Sequence, residues 1–461
     1  MADQSRLLVY SSGPLIDLFA APLSAAGEVD TFDGSQKAAK YDLLVLDAGS
    51  LAAADFEDGA VAAKAALDSN TPVLVLSPTD HHKSVLAAAG ALRHYPNGDS
   101  VGLLIEPRRD AGGTLRFALA EQYAPDAGVG RLTRTEGSGG RRKNDDAEED
   151  AFEVPGRPAP TITEMERFIE RVRGSVAALQ SGPIEARTGN GPNDPPATIP
   201  AGLYDVTPVN FYHPISAGGG PKLGYKPPDG SLTFEGTAYI GAYYDNTSFN
   251  KPVQWLIIEH SGLFYTAGLE VNDSTHRGWS IAMLQINGEA ISNSSLATRQ
   301  SAPNNVNNET TYRSETSFSV GVSAGTAGLG VNTNYTIGSS VSNSISDWSI
   351  TQSSPNIWQF AQATPYDGAQ QTGLPAGAAG SGGVAGLPTI SVGSLAFDAQ
   401  TVWQHLPATS DTQEVTYRFV TNSRFTYSTT GKSWQAFSWN YIYQFSRKYT
   451  INWAAAWAPP R

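Results

Sequence analysis

Residues Ser317–Ile345 read SFSVGVSAGTAGLGVNTNYTIGSSVSNSI, and the stretch from Thr316 to Ser346 holds no charged residue between Glu315 and Asp347. In its first half the apolar side chains fall on even positions: Phe318, Val320, Val322 and Ala324. Ser317, Ser319, Gly321 and Ser323 alternate with them. The small residues Gly325-Thr326-Ala327-Gly328 then read as a turn. In the second half the apolar residues Leu329, Val331, Tyr335, Ile337, Val341 and Ile345 fall on odd positions, and Asn332, Asn334, Thr336 and Ser340 lie between them. A period of two assigns each set to one face of a strand, so the segment predicts a β-hairpin with one apolar and one polar face.

A strand that crosses a bilayer inside a barrel needs roughly 9–11 tilted residues, apolar outward and polar inward. Each arm is at least that long. The faces predict that Phe318, Val320, Val322, Ala324, Leu329, Val331, Tyr335, Ile337 and Val341 meet lipid. Ser317, Ser319, Gly321, Ser323, Asn332, Asn334, Thr336 and Ser340 would line a water-filled lumen. One hairpin cannot close a barrel, so several subunits would each contribute one, and closure would satisfy every backbone donor and acceptor. The same alternation fits a surface hairpin of a soluble sandwich with one face on its core. Two features favour the membrane: a solvent face ordinarily carries Lys, Glu or Arg, above all at a sheet edge, and here the polar positions are small and uncharged.

Outward from the hairpin, residues 201–461 have all-β character. Ala238–Tyr244, Val253–Glu259, Leu263–Val271, Ser280–Ile286, Glu414–Val420 and Tyr441–Phe445 are rich in β-branched and aromatic residues, with Asn287-Gly288 and Asp273-Ser274 as turn signals. This pattern predicts a β-sandwich. The aromatic group Trp434, Trp439, Tyr441, Tyr443, Tyr449 and Trp453 fits a sandwich core better than a membrane-interface anchor.

The order of these features resembles the leukocidin/α-haemolysin family of β-barrel pore-forming toxins, together with the Vibrio-type cytolysins that carry an N-terminal pro-region. Phe249–Glu259 with Leu263–Val271, and Gly278-Trp279 leading into Ile281–Ile286, resemble strands that precede the family's stem. Trp358–Phe360 and Pro365-Tyr366-Asp367 resemble the exit towards its rim. Phe397-Asp398 resembles the start of another sandwich strand, and Arg447–Trp453 the closing strand. The resemblance covers a little under half of the chain. It implies a soluble, secreted monomer that assembles with identical subunits, commonly as a heptamer, on a target-cell membrane. There it would insert a shared transmembrane barrel, with haemolysis or other cytolysis as the outcome. Stem and rim would lie at about 313–350 and 365–392. The rim departs from the family: Gly368–Pro388 holds neither the tryptophan nor the arginine of a phosphocholine pocket, so a receptor or glycan on the target cell is left open.

Residues 131–200 read as a linker with one helix. Glu136–Pro160 contains a Gly/Ser run, the basic triplet Arg141-Arg142-Lys143 and the acidic run Asp145–Asp150. Such composition cannot bury a core. The triplet is a candidate cut site for an activating protease that would remove the N-terminal region, and a plain solvated linker accounts for it equally well. Thr163 with Glu166 reads as a capping box, and Met165, Phe168, Ile169, Val172, Val176 and Leu179 continue as a helical stripe that should dock on a neighbouring unit.

Residues 1–130 alternate apolar strands (Leu7–Tyr10, Leu43–Asp47, Pro72–Leu76) with alanine-rich helices (Leu51–Leu67, His82–Leu92), which predicts an α/β accessory or pro-domain with a parallel sheet. Ser11-Ser12-Gly13-Pro14 after the first strand matches neither the dinucleotide fingerprint nor the P-loop. The fold class expected is therefore an α/β N-terminal domain followed by a mainly-β domain with a stem hairpin.

The whole chain is 40% hydrophobic and 16% charged with a net charge of −13, which argues against a nucleic-acid partner. It has no cysteine, so disulfides and thiolate chemistry are excluded. Neither a signal-peptide core nor an apolar run of membrane-helix length is present. His81-His82 beside Asp80 is weak evidence for a metal, and no catalytic constellation is argued from spacing. No cofactor and no enzymatic activity are expected. The second reading is a secreted β-sandwich adhesin or carbohydrate-binding protein; an enzyme built on the α/β region is third.

Overall fold

Leu43–Asp47 is buried at every position, as a strand covered on both faces of a sheet must be. The computed structural model describes residues 6–15, 17–32, 40–109, 115–123, 128–136, 151–154, 162, 165–166, 168–169, 204–217, 230–245, 253–269, 276–290, 296–302, 318–322, 333–337, 348–362, 393–405, 409–429 and 435–456.

The first elements are β1 (Arg6–Tyr10), α1 (Asp17–Ala26), β2 (Glu28–Thr31), β3 (Leu43–Asp47), α2 (Ala53–Asp68), β4 (Val73–Leu76) and α3 (Asp80–Ala88). β1 pairs in parallel with both β2 and β3, and β3 with β4. This is the expected parallel layer, and the predicted strands lie within a residue of the observed ones. Leu8, Leu44, Leu46, Val73 and Val75 pack on the same core as Phe56, Ala60 and Ala63 of α2. Leu7, Val9, Val45 and Leu74 meet Phe19 and Leu23 of α1 on the opposite face. Each such side chain contributes roughly 1.5–3 kcal/mol on full burial. Residues 165, 166, 168 and 169 are helical, and Met165, Phe168 and Ile169 of the predicted stripe dock on that second face.

The next elements are β5 (Tyr95–Pro96), β6 (Ser100–Arg109), β7 (Leu115–Tyr123), β8 (Gly128–Glu136), β9 (Ala151–Val154), β10 (Tyr204–Ala217), β11 (Gly230–Asp245), β12 (Val253–Tyr265), β13 (His276–Glu289) and β14 (Leu296–Ala302). They are followed by β15 (Phe318–Val322), β16 (Thr333–Ile337), β17 (Trp348–Ser354), β18 (Ile357–Gln362), β19 (Ser394–His405), β20 (Thr412–Thr429) and β21 (Gln435–Asn452).

These strands form an 11-stranded sheet in the order β14-β19-β12-β11-β10-β7-β6-β4-β3-β1-β2. A second sheet of 8 strands runs β17-β18-β13-β20-β21-β8-β9, with β5 also on β21. The two sheets pack face to face. Phe234 of β11 meets Phe419 and Phe445 across the interface at 5.0 and 5.1 Å between ring centroids, and Trp403 meets Tyr417 at 6.1 Å. Trp439, Tyr441, Tyr443, Tyr449 and Trp453 are all buried, in keeping with the core reading of that aromatic group; Trp434 lies outside the described residues.

The α/β region and the sandwich share the larger sheet. β7 pairs in parallel with β10, Val209 opposite Leu119 and Phe211 opposite Glu121. The boundary expected at about residue 130 falls inside β8, which pairs antiparallel with β21 from Gly128 to Glu136. β9 lies within the segment expected to be linker and pairs with β8. One apolar cluster runs from Leu8 and Phe56 through Leu103 and Leu119 to Phe211, Leu256, Trp403 and Trp453. Among the described residues no helix is long and apolar enough to cross a membrane, which says nothing about a β-barrel.

Candidate functional site

Among the described residues β15 and β16 pair only with each other, in a two-stranded sheet separate from the two large ones. Their register sets Phe318 opposite Ile337, Ser319 opposite Thr336, Val320 opposite Tyr335, Gly321 opposite Asn334 and Val322 opposite Thr333. Directly opposed residues occupy the same face of an antiparallel pair. Positions 318, 320, 335 and 337 therefore share one face, and positions 319, 321, 334 and 336 the other. The fifth pair sets Val322 against a threonine. Of the residues expected to face lipid, Phe318, Val320, Val322, Tyr335 and Ile337 lie in these strands, while Ala324, Leu329, Val331 and Val341 lie outside the described residues. Of those expected to face the lumen, Ser319, Gly321, Asn334 and Thr336 lie in the strands; Ser317, Ser323, Asn332 and Ser340 do not fall among the described residues. The same holds for Arg141, Arg142 and Lys143, and for the rim segment at about 365–392.

A second feature went unnoticed in the sequence. Glu121 on β7 is completely buried between two cations. Lys83 on α3 approaches its Oε1 at 3.0 Å, and Arg447 on β21 donates from Nη2 to its Oε2 at 2.6 Å. Lys83 Nζ also donates to the Gly98 carbonyl (2.7 Å) and to Ser100 Oγ (2.8 Å), so its three protons each have an acceptor. The Ser100 hydroxyl donates to Glu121 in turn. Burial pushes the Glu121 carboxyl up, but Lys83, Arg447 and the Ser100 hydrogen bond outweigh it and hold the group below its ordinary value.

Around this cluster the sandwich supplies aromatic and imidazole walls. The Arg447 guanidinium lies 4.6 Å over the Phe211 ring, and its Nε donates to the Tyr449 hydroxyl at 3.2 Å. That hydroxyl lies 2.8 Å from His260 Nε2, and His213 Nε2 lies 2.9 Å from Tyr443 Oη. Burial, aided by the Arg447 charge, pulls His213 down to about 3 and His260 well below the usual histidine value. Both imidazoles are therefore neutral at physiological pH. A signal for this cluster does exist in the sequence. Tyr441, Tyr443, Phe445, Arg447 and Tyr449 occupy the inward phase of one strand, and Arg447 is the charged member of that phase.

Among the described residues no group of histidines and acids could hold a metal. His82 instead accepts from the Thr79 backbone through Nδ1 at 3.2 Å, closing the N-terminal turn of α3.

No family model and no curated protein matches the chain. Among solved structures it is similar to the Clostridium perfringens NetB toxin in its membrane-inserted form, at 15% identity and a TM-score of 0.28, over 54% of this chain and 98% of that one. It is also similar to a structure described as a pore forming protein, at 14% identity and a TM-score of 0.29, over 53% of this chain and 93% of that one. At TM-scores this low the overlap is partial.

Proposed function

We propose that the chain is a pore-forming cytolysin. It is secreted as a soluble subunit, assembles with identical copies on a target-cell membrane, and contributes the Phe318–Ile337 hairpin to a shared transmembrane barrel. The observation that carries this reading is the charge-free hairpin itself. Its register opposes apolar to apolar at 318/337 and 320/335, and polar or small to polar at 319/336 and 321/334. A barrel wall needs that segregation, with no ionised group to be dragged into hydrocarbon. A heptamer follows from the family resemblance, as does licensing by a protease; the sequence offers Arg141-Arg142-Lys143 as the place of the cut. A receptor or glycan would select the target cell. Function is by insertion, with no catalysed reaction.

Release of an encapsulated dye from liposomes tests the reading, measured before and after proteolysis in Glu136–Pro160 and alongside an assay for SDS-resistant oligomers. Leakage with an oligomer supports the pore. Intact liposomes across neutral, anionic and sterol-containing mixtures, with monomer alone on the gel, would remove it.

A further inference from the structure

A cut in the 137–150 segment ordinarily suggests that everything before it departs. The packing around Glu121 argues otherwise. β7 is an interior strand of the large sheet, held by β6 on one side and β10 on the other. β8, which ends at Glu136, is paired to β21 along its length. β5 pairs with the same strand through Tyr95 and Pro96. Side chains tie the segments again: Asn97 Nδ2 donates to Glu414 (2.9 Å), Thr450 Oγ1 donates to Asn97 Oδ1 (2.8 Å), and the Asn452 backbone N–H donates to His94 Nδ1 (3.2 Å). Departure of residues 1–136 would split one apolar core, expose the edges of β10 and β21, and strip Arg447 of the carboxylate that neutralises it in a site with no solvent.

We infer that residues 1–136 are a permanent partner of the sandwich. After a cut in 137–150 they stay bound as a non-covalent subunit, and the assembled pore carries them. The surface they fit is the edge of β10 together with the face and edge of β21, and the partner is the severed N-terminal part of the same chain. The inference rests on the pore reading only for the place and purpose of the cut; retention itself follows from the packing. It also changes what a cut can do. Cleavage would free the ends at 137–150 and leave Lys83, Glu121 and Arg447 joined.

The test places a recognition site for a sequence-specific protease between Gly139 and Gly140 of the full chain, cleaves it to completion at neutral pH, and applies size-exclusion chromatography. Retention predicts a single peak at the elution volume of the uncut protein, with both fragments on a denaturing gel. Fragments in separate peaks overturn it. A second measurement guards against a site that perturbs folding: the wild-type chain nicked briefly by trypsin at Arg141-Arg142-Lys143 should give the same co-elution. In the cut protein, Glu121→Gln should lower the urea concentration at which the fragments part, relative to cut wild type, and an unchanged value would refute the role given to the cluster. Dye release is read on the same samples. Co-elution without leakage leaves the inference standing and sinks the pore; leakage from a sample whose fragments have separated does the reverse.

Discussion

Arg447 Nη2 lies 2.6 Å from Glu121 Oε2 although 326 residues separate them in the chain, and neither side chain reaches solvent. A charge-assisted contact of this kind is worth most when its neighbours are matched as well. Removing one member strands the others in a dry site, at a cost of about 3–5 kcal/mol. Glu121→Leu, which leaves two buried cations facing each other, should destabilise the protein by that order in urea melts. Lys83→Met/Glu121→Leu/Arg447→Met should recover much of the loss, since no buried charge is left unpaired. A triple variant as unstable as the sum of its single changes would show that the cluster does not act as a unit.

Stability should fall on acidification. Two buried imidazoles, His213 and His260, are held neutral in the fold. A group with a depressed folded value stabilises fully above its unfolded pKa, and the contribution is lost as pH falls towards the folded value. For His213 that window runs from about 6.5 down to about 3. Glu121, also depressed, adds loss below the ordinary carboxylate range. Melting temperature should therefore be flat with respect to these groups above about pH 7 and drop progressively below it. His213→Gln, which keeps a hydrogen-bonding group beside Tyr443, should flatten the first part of that drop. A melting temperature that rises between pH 7 and pH 5 would contradict the assignment.

The hairpin faces make opposed predictions. Val320→Arg puts a cation on the face assigned to lipid, at about 2–4 kcal/mol per subunit if the position lies near the bilayer midplane. Leakage should be abolished while near-ultraviolet circular dichroism of the soluble protein is unchanged. Ser319→Arg, on the opposite face, should leave leakage intact and shift the reversal potential towards anions. Equal leakage by both variants would reject the division of faces.

Gly130 in β8 has no room for a side chain. A Cβ there would fall on the Tyr441 hydroxyl and within 2.7 Å of Tyr441 Cε2. Gly130→Val should therefore cost about 1–3 kcal/mol through overpacking, measured by calorimetry. A neutral result would mean that the Tyr441 ring moves aside without penalty and that its packing on β8 contributes little to stability.

Much of this architecture was legible in the residues. Runs such as Leu43–Leu46 and Val73–Leu76 are apolar at every position, and a strand buried on both faces has little alternative. The stripe Met165, Phe168 and Ile169 announced a docked helix face. The joint between the two halves was not legible, because periodicity gives the face of a strand and never the identity of its neighbour. β8 was hidden by its own composition: Arg131, Arg134 and Glu136 among glycines and threonines look like solvated linker, yet Arg131 is exposed on a strand whose Gly130 is buried against Tyr441. The hairpin showed itself by its alternation and lack of charge. Glu121 did not, because nothing local marks a carboxylate whose cations sit on a helix and on the last strand.

The pairing of β21 with β5 and β8 also sets an order of events during synthesis. The first third of the chain offers edges that stay open until the final strand has been made, about 300 residues later, on the order of 15–60 s at ordinary translation rates. The Phe318–Ile337 hairpin is made within that interval, before β21 can complete the second sheet. The pairing that unites the two halves thus leaves β5 and the β21-facing edge of β8 without their partner until synthesis is nearly complete, so folding of the second sheet is post-translational in its last step.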